Sequence, residues 1–526
     1  MRHIAIFLIT ALMTFSAGAQ TNAADDLPDI GSPASTMLTL EDEYQIGRMV
    51  LRGLRDQDQI LEDPEIAEYL QSLGSRLSSE AHDGVQKFTF FTVKDRSINA
   101  FALPGGFIGV NAGLLLETKN ESELAGVMAH EIAHVTQRHI ARSLAAQSRS
   151  SLVSTAAMLA AILLGAAAGG DGAMAGVAAA QSLAIQQQIN FTRENETEAD
   201  RVGLGILARS GFNPEGMPDF FETLSRHAGS SDLNIPEMLR SHPVTSSRIA
   251  ETKERADQLH VDPTPDSASY AISRERLRVL TTPAGKNPRE YYAAVIQSEA
   301  DATSAQVYGQ ALAMMVSGQA EMAIPIFQRL RNGDPTITQY YTALGQAQLK
   351  AGQEKASLAT LSKARELFPR NVAVTVRYAQ ALMQTGDPKR AHEILLDLFN
   401  VVPPTPDQAR LTALAANAAG DVADSYYYMS EYHIMSGDLP LAINQLQLAL
   451  QVPKITPVQR ARFQARLEEV QQAMPKRMRR AASDGRSRLE FKSAAMDGYD
   501  SGTRACQSDI CNFARQTGTP LPNGLN

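Results

Sequence analysis

Gly318, Gly352 and Gly386 stand 34 residues apart, and so do Pro335, Pro369 and Pro403. Five residues after each glycine comes a small residue, Ala323, Ser357 or Ala391. Nine after it comes a large apolar one, Phe327, Leu361 or Leu395. Residue types that keep one period constrain the fold more tightly than any other feature of this chain. A unit of that length holds two helices and a turn, which must stack on neighbours to bury their apolar faces. The small residues sit where paired helices approach closely, and a proline closes each unit. A further unit fits Gly437, Ala442 and Leu446, with Pro453 near its end, while the segment between Asp421 and Met435 reads as out of phase.

The period is that of tetratricopeptide arrays, so residues 305–475 are expected to form a repeat domain. A chain of 526 residues, at ~100–200 per domain, has room for more. Tryptophan is absent, aromatics are few and alanine and leucine abound, so the fold is expected to be mainly α with a small β-sheet. The sheet belongs to Lys87–Leu115. Phe88, Phe90 and Phe91 begin a strand, Pro104-Gly105-Gly106 marks a turn, and Phe107–Asn111 reads as a second strand. From Ser122, a reasonable N-cap, the pattern turns helical. Residues 20–260 are expected to form one domain, 261–304 a linker and 476–526 a loosely ordered tail.

Residues 1–19 read as an export signal. Arg2 precedes an apolar run from Ile4 to Phe15, and Ala17-Gly18-Ala19 fits a cleavage site. This predicts a periplasmic protein. The only cysteines, Cys506 and Cys511, have a spacing that suits a turn and, in an oxidising compartment, a short disulfide loop. A net charge of −8 without a long basic run argues against nucleic acid as a partner.

Three of the ten histidines fall within Gly126–Ala141, in "GVMAHEIAHVTQRHIA". On a helix, residues i and i+4 share a face, so His130 and His134 can offer imidazole nitrogens to one metal ion. Glu131, about 100° around the helix, can reach a water on that metal without being a ligand. A third ligand must come from elsewhere, since Gln137 and Ile140 stand where a longer zinc motif would need Gly and His. His139 is out of register and reads as a packing or hydrogen-bonding histidine. Glu196 and Asp200 in "FTRENETEAD" (Phe191–Asp200) are again i and i+4. One of these carboxylates can ligate the metal while the other accepts a ring N–H from a ligating histidine. Glu194 and Glu198 read as a solvated acidic face. His242, before Pro243, reads by itself as a turn histidine.

These motifs together with "NAFALPGGFIGV" and "RSHPVTSSRI" (Arg240–Ile249) resemble the metallopeptidase family that contains the CAAX prenyl protease and the HtpX heat-shock protease. A signal peptide and C-terminal tetratricopeptide units resemble its exported branch. The resemblance runs from about Leu38 to Pro475. It implies one Zn2+ per chain held by His130, His134 and Glu196, with Glu131 as catalytic base and Asp200 beside the ligands. It implies that His242 is a regulatory fourth ligand, a latch occupying the position that a catalytic zinc must keep open. Arg248 would orient that loop or bind substrate. The implied partners are the outer-membrane protein assembly machinery and unfolded β-barrel clients; a peripheral outer-membrane contact is expected, instead, from the apolar stretch Ser151–Gly170.

The expected reaction is peptide-bond hydrolysis by a zinc-dependent endopeptidase. Phe107–Asn111, if it lies at a sheet edge, would bind an extended substrate as an added strand. The other reading is a non-proteolytic periplasmic chaperone or adaptor that uses the repeats; Glu131 argues against it, because a structural zinc needs no base. Ser151–Gly170, apolar and long enough to span a bilayer, is read as a cover over the cleft, with membrane insertion as the alternative.

Overall fold

The computed structural model describes residues 38–81, 87–146, 192–229, 236–296 and 302–473. Residues 1–19, read as an export signal, Ser151–Gly170 and the cysteine pair lie outside them. Among the described residues, no helix is long and apolar enough to cross a membrane.

The first unit is built around a small sheet and one buried helix. Strands β1 (Thr89–Val93), β2 (Ala100–Leu103) and β3 (Phe107–Asn111) lie in the order β1-β3-β2. β1 runs parallel to β3 and β2 antiparallel, through the turn at Gly105 and Gly106, both at positive φ. Phe107–Asn111 is therefore central, not at an edge, and the short "AFAL" run supplies an edge strand that alternation did not reveal. Two helices, α1 (Leu40–Asp56) and α2 (Pro64–Ser78), pack on the sheet.

Helix α3 (Glu121–Thr136) carries the two histidines and is buried from Glu121 to Val135. Its N-cap is Asn120, whose side chain accepts from Glu123 N. Ser122 instead accepts from Asn213 N, which ties the helix to the chain beyond it. The following helices are α4 (His139–Ala146), α5 (Arg193–Arg209), α6 (Gly216–Gly229), α7 (Ser246–Asp257) and α8 (Ala268–Leu280). The segment 261–304, expected as a linker, thus contains α8, which packs on both units.

Five helix pairs follow: α9 (Ser304–Val316) and α10 (Ala320–Gly333), α11 (Thr338–Lys350) and α12 (Glu354–Leu367), α13 (Val372–Gln384) and α14 (Pro388–Phe399), α15 (Pro406–Ala418) and α16 (Val422–Met435), α17 (Leu439–Gln451) and α18 (Pro457–Ala473). The small residues act as expected: Ser357 donates to Gly345 O at 2.7 Å, and a Cβ on Gly345 would stand 2.6 Å from Leu361. The array is more regular than its sequence reading. Gly420 continues the 34-residue step and turns α15 into α16, with φ +86°. Gly437 holds the position of the unit-closing proline, so it marks the turn between units.

The repeats meet α1 and α2 through α13, α15 and the turn from α16 to α17. Asp63 and Glu65, both buried, meet Arg276 of α8 and Arg377 of α13. Beside them Glu68 accepts from Asn371, Val372 and Ala373 at the start of α13. Arg410 reaches Glu62, Arg52 reaches Asp438, and Arg48 donates to Ile434 O.

Candidate metal centre

His130 and His134 lie one turn apart on α3, and their Nε2 atoms face each other at 3.0 Å. Helix α5 crosses at this level because Gly203 permits it: a Cβ there would stand 3.1 Å from the backbone of His130. Two turns before Gly203, Glu196 sends its carboxylate between the imidazoles, with Oε2 3.6 Å from His130 Nε2 and Oε1 3.5 Å from His134 Nε2. The chain then returns through the short helix Glu237–Ser241, and His242 follows it. Its Nδ1 lies 2.9 Å from Glu196 Oε1 and its Nε2 3.6 Å from Glu131 Oε1. One ligand atom from each of His130, His134, Glu196 and His242 falls within 4.8 Å of the others, and all four residues are buried.

A second layer holds this group. Asp200, one turn beyond Glu196, places Oδ1 2.9 Å from His130 Nδ1. Arg248 of α7 grips Asp200 with two hydrogen bonds of 2.8 Å, approaches Glu196 Oε2 at 2.6 Å, and donates to Pro243 O at 2.9 Å. One guanidinium thereby ties both carboxylates to the backbone beside His242. Phe221 lies under that guanidinium and edge-on to His130.

The electrostatics suit a cation. Burial works against charge on His130, but Asp200 and Glu196 outweigh it and push its pKa up to about 10. Burial likewise disfavours the Glu196 carboxylate, yet His242 and His130 hold it well below the usual carboxylate range. His134 is held neutral by burial and by its neighbouring imidazoles, as a metal ligand must be. Three imidazoles and a carboxylate are nitrogen and oxygen donors that match zinc. The fit has an independent mark in Glu131. Both of its carboxylate oxygens are buried without a hydrogen-bond partner, an arrangement costly unless a reacting group is meant to fill the space.

Sequence reasoning named His130, Glu131, His134, Glu196, Asp200, His242 and Arg248, and all seven lie around this one site. It treated Glu198 as a solvated residue, whereas Glu198 is partly covered and bonded to His139 and Arg142. It read His139 as a packing or hydrogen-bonding histidine, and His139 is buried with its imidazole against that of His134 and against Glu198. Glu194, in contrast, is exposed.

The model of peptidase family M48 matches residues 64–256, and a tetratricopeptide repeat model matches residues 348–418. Over 471 residues the chain is 33% identical to the β-barrel assembly-enhancing protease of Escherichia coli strain K12, covering 88% of this chain and 95% of that protein. It is 32% identical over 480 residues to the protein of that name from Yersinia pestis, covering 89% and 97%. The mitochondrial metalloendopeptidase OMA1 of Schizosaccharomyces pombe is 31% identical over 168 residues, 32% of this chain and 46% of that protein.

Proposed function

Since the chain belongs to peptidase family M48 and, along most of its length, to the β-barrel assembly-enhancing proteases, we propose that this metalloprotease is a zinc-dependent periplasmic endopeptidase acting on misassembled outer-membrane β-barrel proteins. The observation that carries the reading is the buried group His130, His134, Glu196 and His242 with the unpartnered carboxylate of Glu131 beside it.

His130, His134 and Glu196 would hold one Zn2+ per chain, which when bound supplies a Lewis acid that activates water and polarises a peptide carbonyl. Glu131 takes the proton of the attacking water and hands it to the leaving amine, the work of a general base turned acid. Asp200 and Arg248 keep His130 and Glu196 in place. His242 stands between Glu196 and Glu131, in the space that water and the scissile carbonyl need, and so serves as a latch. The bond from Arg248 to Pro243 O steadies that latch.

Substrate binding falls to β2, which packs against α3 and forms one edge of the sheet. An extended segment added there needs backbone pairing and little side-chain selection, which suits unfolded polypeptide. Helices α13 and α15 are partly committed to α1 and α2, so the remaining repeat surface would meet the outer-membrane protein assembly machinery. Residues 1–19 would export the chain, and contact with the outer membrane would be peripheral.

The test is cleavage of an unfolded outer-membrane β-barrel protein by the full-length chain, with metal analysis of the same preparation. The expected result is one zinc per chain and a Glu131→Gln variant that keeps its zinc but cleaves about 10²–10⁴-fold more slowly. Cleavage at the original rate by Glu131→Gln overturns the reading.

A further inference from the structure

His139 is fully buried at the start of α4, and its Nδ1 lies 2.9 Å from Nδ1 of His134. Its other nitrogen, Nε2, lies 3.2 Å from Glu198 Oε2, which also accepts from Arg142 Nη1 at 2.8 Å. The protons of this row can be assigned from donor and acceptor capacity alone. A carboxylate only accepts, so His139 Nε2 carries its proton and His139 Nδ1 is a lone pair. That lone pair accepts from Nδ1–H of His134. His134 is then the tautomer whose Nε2 carries the lone pair, and Nε2 is the atom that faces His130 and Glu196.

The backbone is bent to make this contact. On an unbroken helix, positions 134 and 139 would lie about 140° apart. The helix breaks at Arg138, which has φ +51°, a left-handed conformation costly for a side chain of this size. Arg138 is held there by Glu43 and by the carbonyl of Leu38, both from the far end of the unit. The break starts a new helix at His139 and swings its imidazole back beside His134.

We propose that His139 is a positioning residue that fixes the tautomer and orientation of His134 through the row His134–His139–Glu198–Arg142, and so tightens the metal site. This rests on the metallopeptidase reading above. On the other side Asp200 Oδ1 lies 2.9 Å from Nδ1 of His130, so each histidine of the pair has an outer neighbour at Nδ1.

The experiment measures zinc affinity of the full-length protein by competition with a chromophoric chelator, together with the visible spectrum of the Co2+-loaded protein. His139→Ala is expected to weaken zinc binding about 10–100-fold and to shift the Co2+ bands. His139→Asn, whose Oδ1 replaces the Nδ1 acceptor, is expected to stay within about threefold of the original, less than the smallest loss that removal of an outer partner gives. A merely structural role predicts that both variants lose stability together and that the Co2+ spectrum is unmoved. The proposal is overturned if His139→Ala binds zinc as tightly as the original protein, or if His139→Asn falls as far as His139→Ala. Should His139→Ala fail to fold, Glu198→Ala decides: it frees the His139 tautomer from the surface side, and unchanged zinc affinity in that variant overturns the proposal. Failure of the broader reading looks different: the unaltered protein would bind no zinc, or Glu131→Gln would cleave at the original rate, whatever the His139 variants do.

Discussion

Asp63 and Glu65 at the contact with the repeats, and Glu131 and Glu196 at the candidate metal centre, are all carboxylates withdrawn from water. Their surroundings differ. Both oxygens of Asp63 and both of Glu65 meet guanidinium nitrogens of Arg276 and Arg377, at 2.6–3.2 Å. Neither oxygen of Glu131 meets a donor. A buried carboxylate without a partner is costly, whereas one in a complete network mainly fixes how elements sit. The saturated cluster joins α2, α8 and α13 and so holds the repeats against the peptidase. Glu196 is itself held by His242 and Arg248, so Glu131 is the place where chemistry can happen, because its lone pairs are not already spent on protein donors.

The largest effect that tests this contrast is in Glu131→Gln. Its loss of cleavage, about 10²–10⁴-fold, corresponds to roughly 3–5 kcal/mol of barrier. Its thermal unfolding temperature should not fall, since no hydrogen bond is removed, and a lowered one breaks the comparison. The mirror case is Arg276→Met, which leaves Asp63 and Glu65 short of a partner in a buried site. It should cost about 3–5 kcal/mol of stability by calorimetry or denaturant titration, with zinc content unchanged. If Arg276→Met melts like the original protein, the cluster is not what holds the units together.

What could be read from the chain followed from local spacing. The i, i+4 pairs at His130/His134 and Glu196/Asp200 state their own geometry, because one helix turn is enough to align them. The 34-residue period did the same for the repeats, yet Gly420 was overlooked because tyrosines fill its helix and Gly437 replaces the closing proline. β2 was hidden by its length of four residues, all buried, which leaves no alternation to detect. The contact of His139 with His134 was hidden for a different reason. Nothing near Arg138 signals a helix break, since neither glycine nor proline is there, and the conformation is imposed by Glu43 and Leu38 from ninety-five and a hundred residues earlier. The Asp63–Arg276–Arg377 cluster likewise joins residues more than two hundred positions apart, and single charges in a sequence carry no sign of such partners.

A smaller effect is expected from His242→Ala, which empties the space between Glu196 and Glu131. Cleavage of an unfolded β-barrel protein should rise about tenfold, a change of ~1.4 kcal/mol, with zinc retained by the three other ligands. Unchanged cleavage would mean that His242 is only a packing residue and that the metal site is already open.

The smallest effect is the acid response of the saturated cluster, and its sign follows from Asp63. Burial by itself would raise its pKa, but Arg276 and then Arg377 outweigh burial and hold the carboxyl well below its ordinary range. The unfolded chain then takes up a proton near pH ~3.9 while the folded chain does not. The stability this group contributes is present above that pH and is lost as pH falls from about 4 toward the folded value. The double variant Asp63→Asn with Arg276→Met removes one charge pair, keeps the side-chain cap on Ile66 N, and leaves Arg377 on Glu65. At neutral pH it should lose less stability than Arg276→Met alone, because no carboxylate at position 63 is left uncompensated. Between about pH 4 and pH 2 its unfolding temperature should fall less steeply than that of the original protein. Equal slopes would show that the cluster adds nothing to the acid limb, and would remove the electrostatic half of the contrast with Glu131.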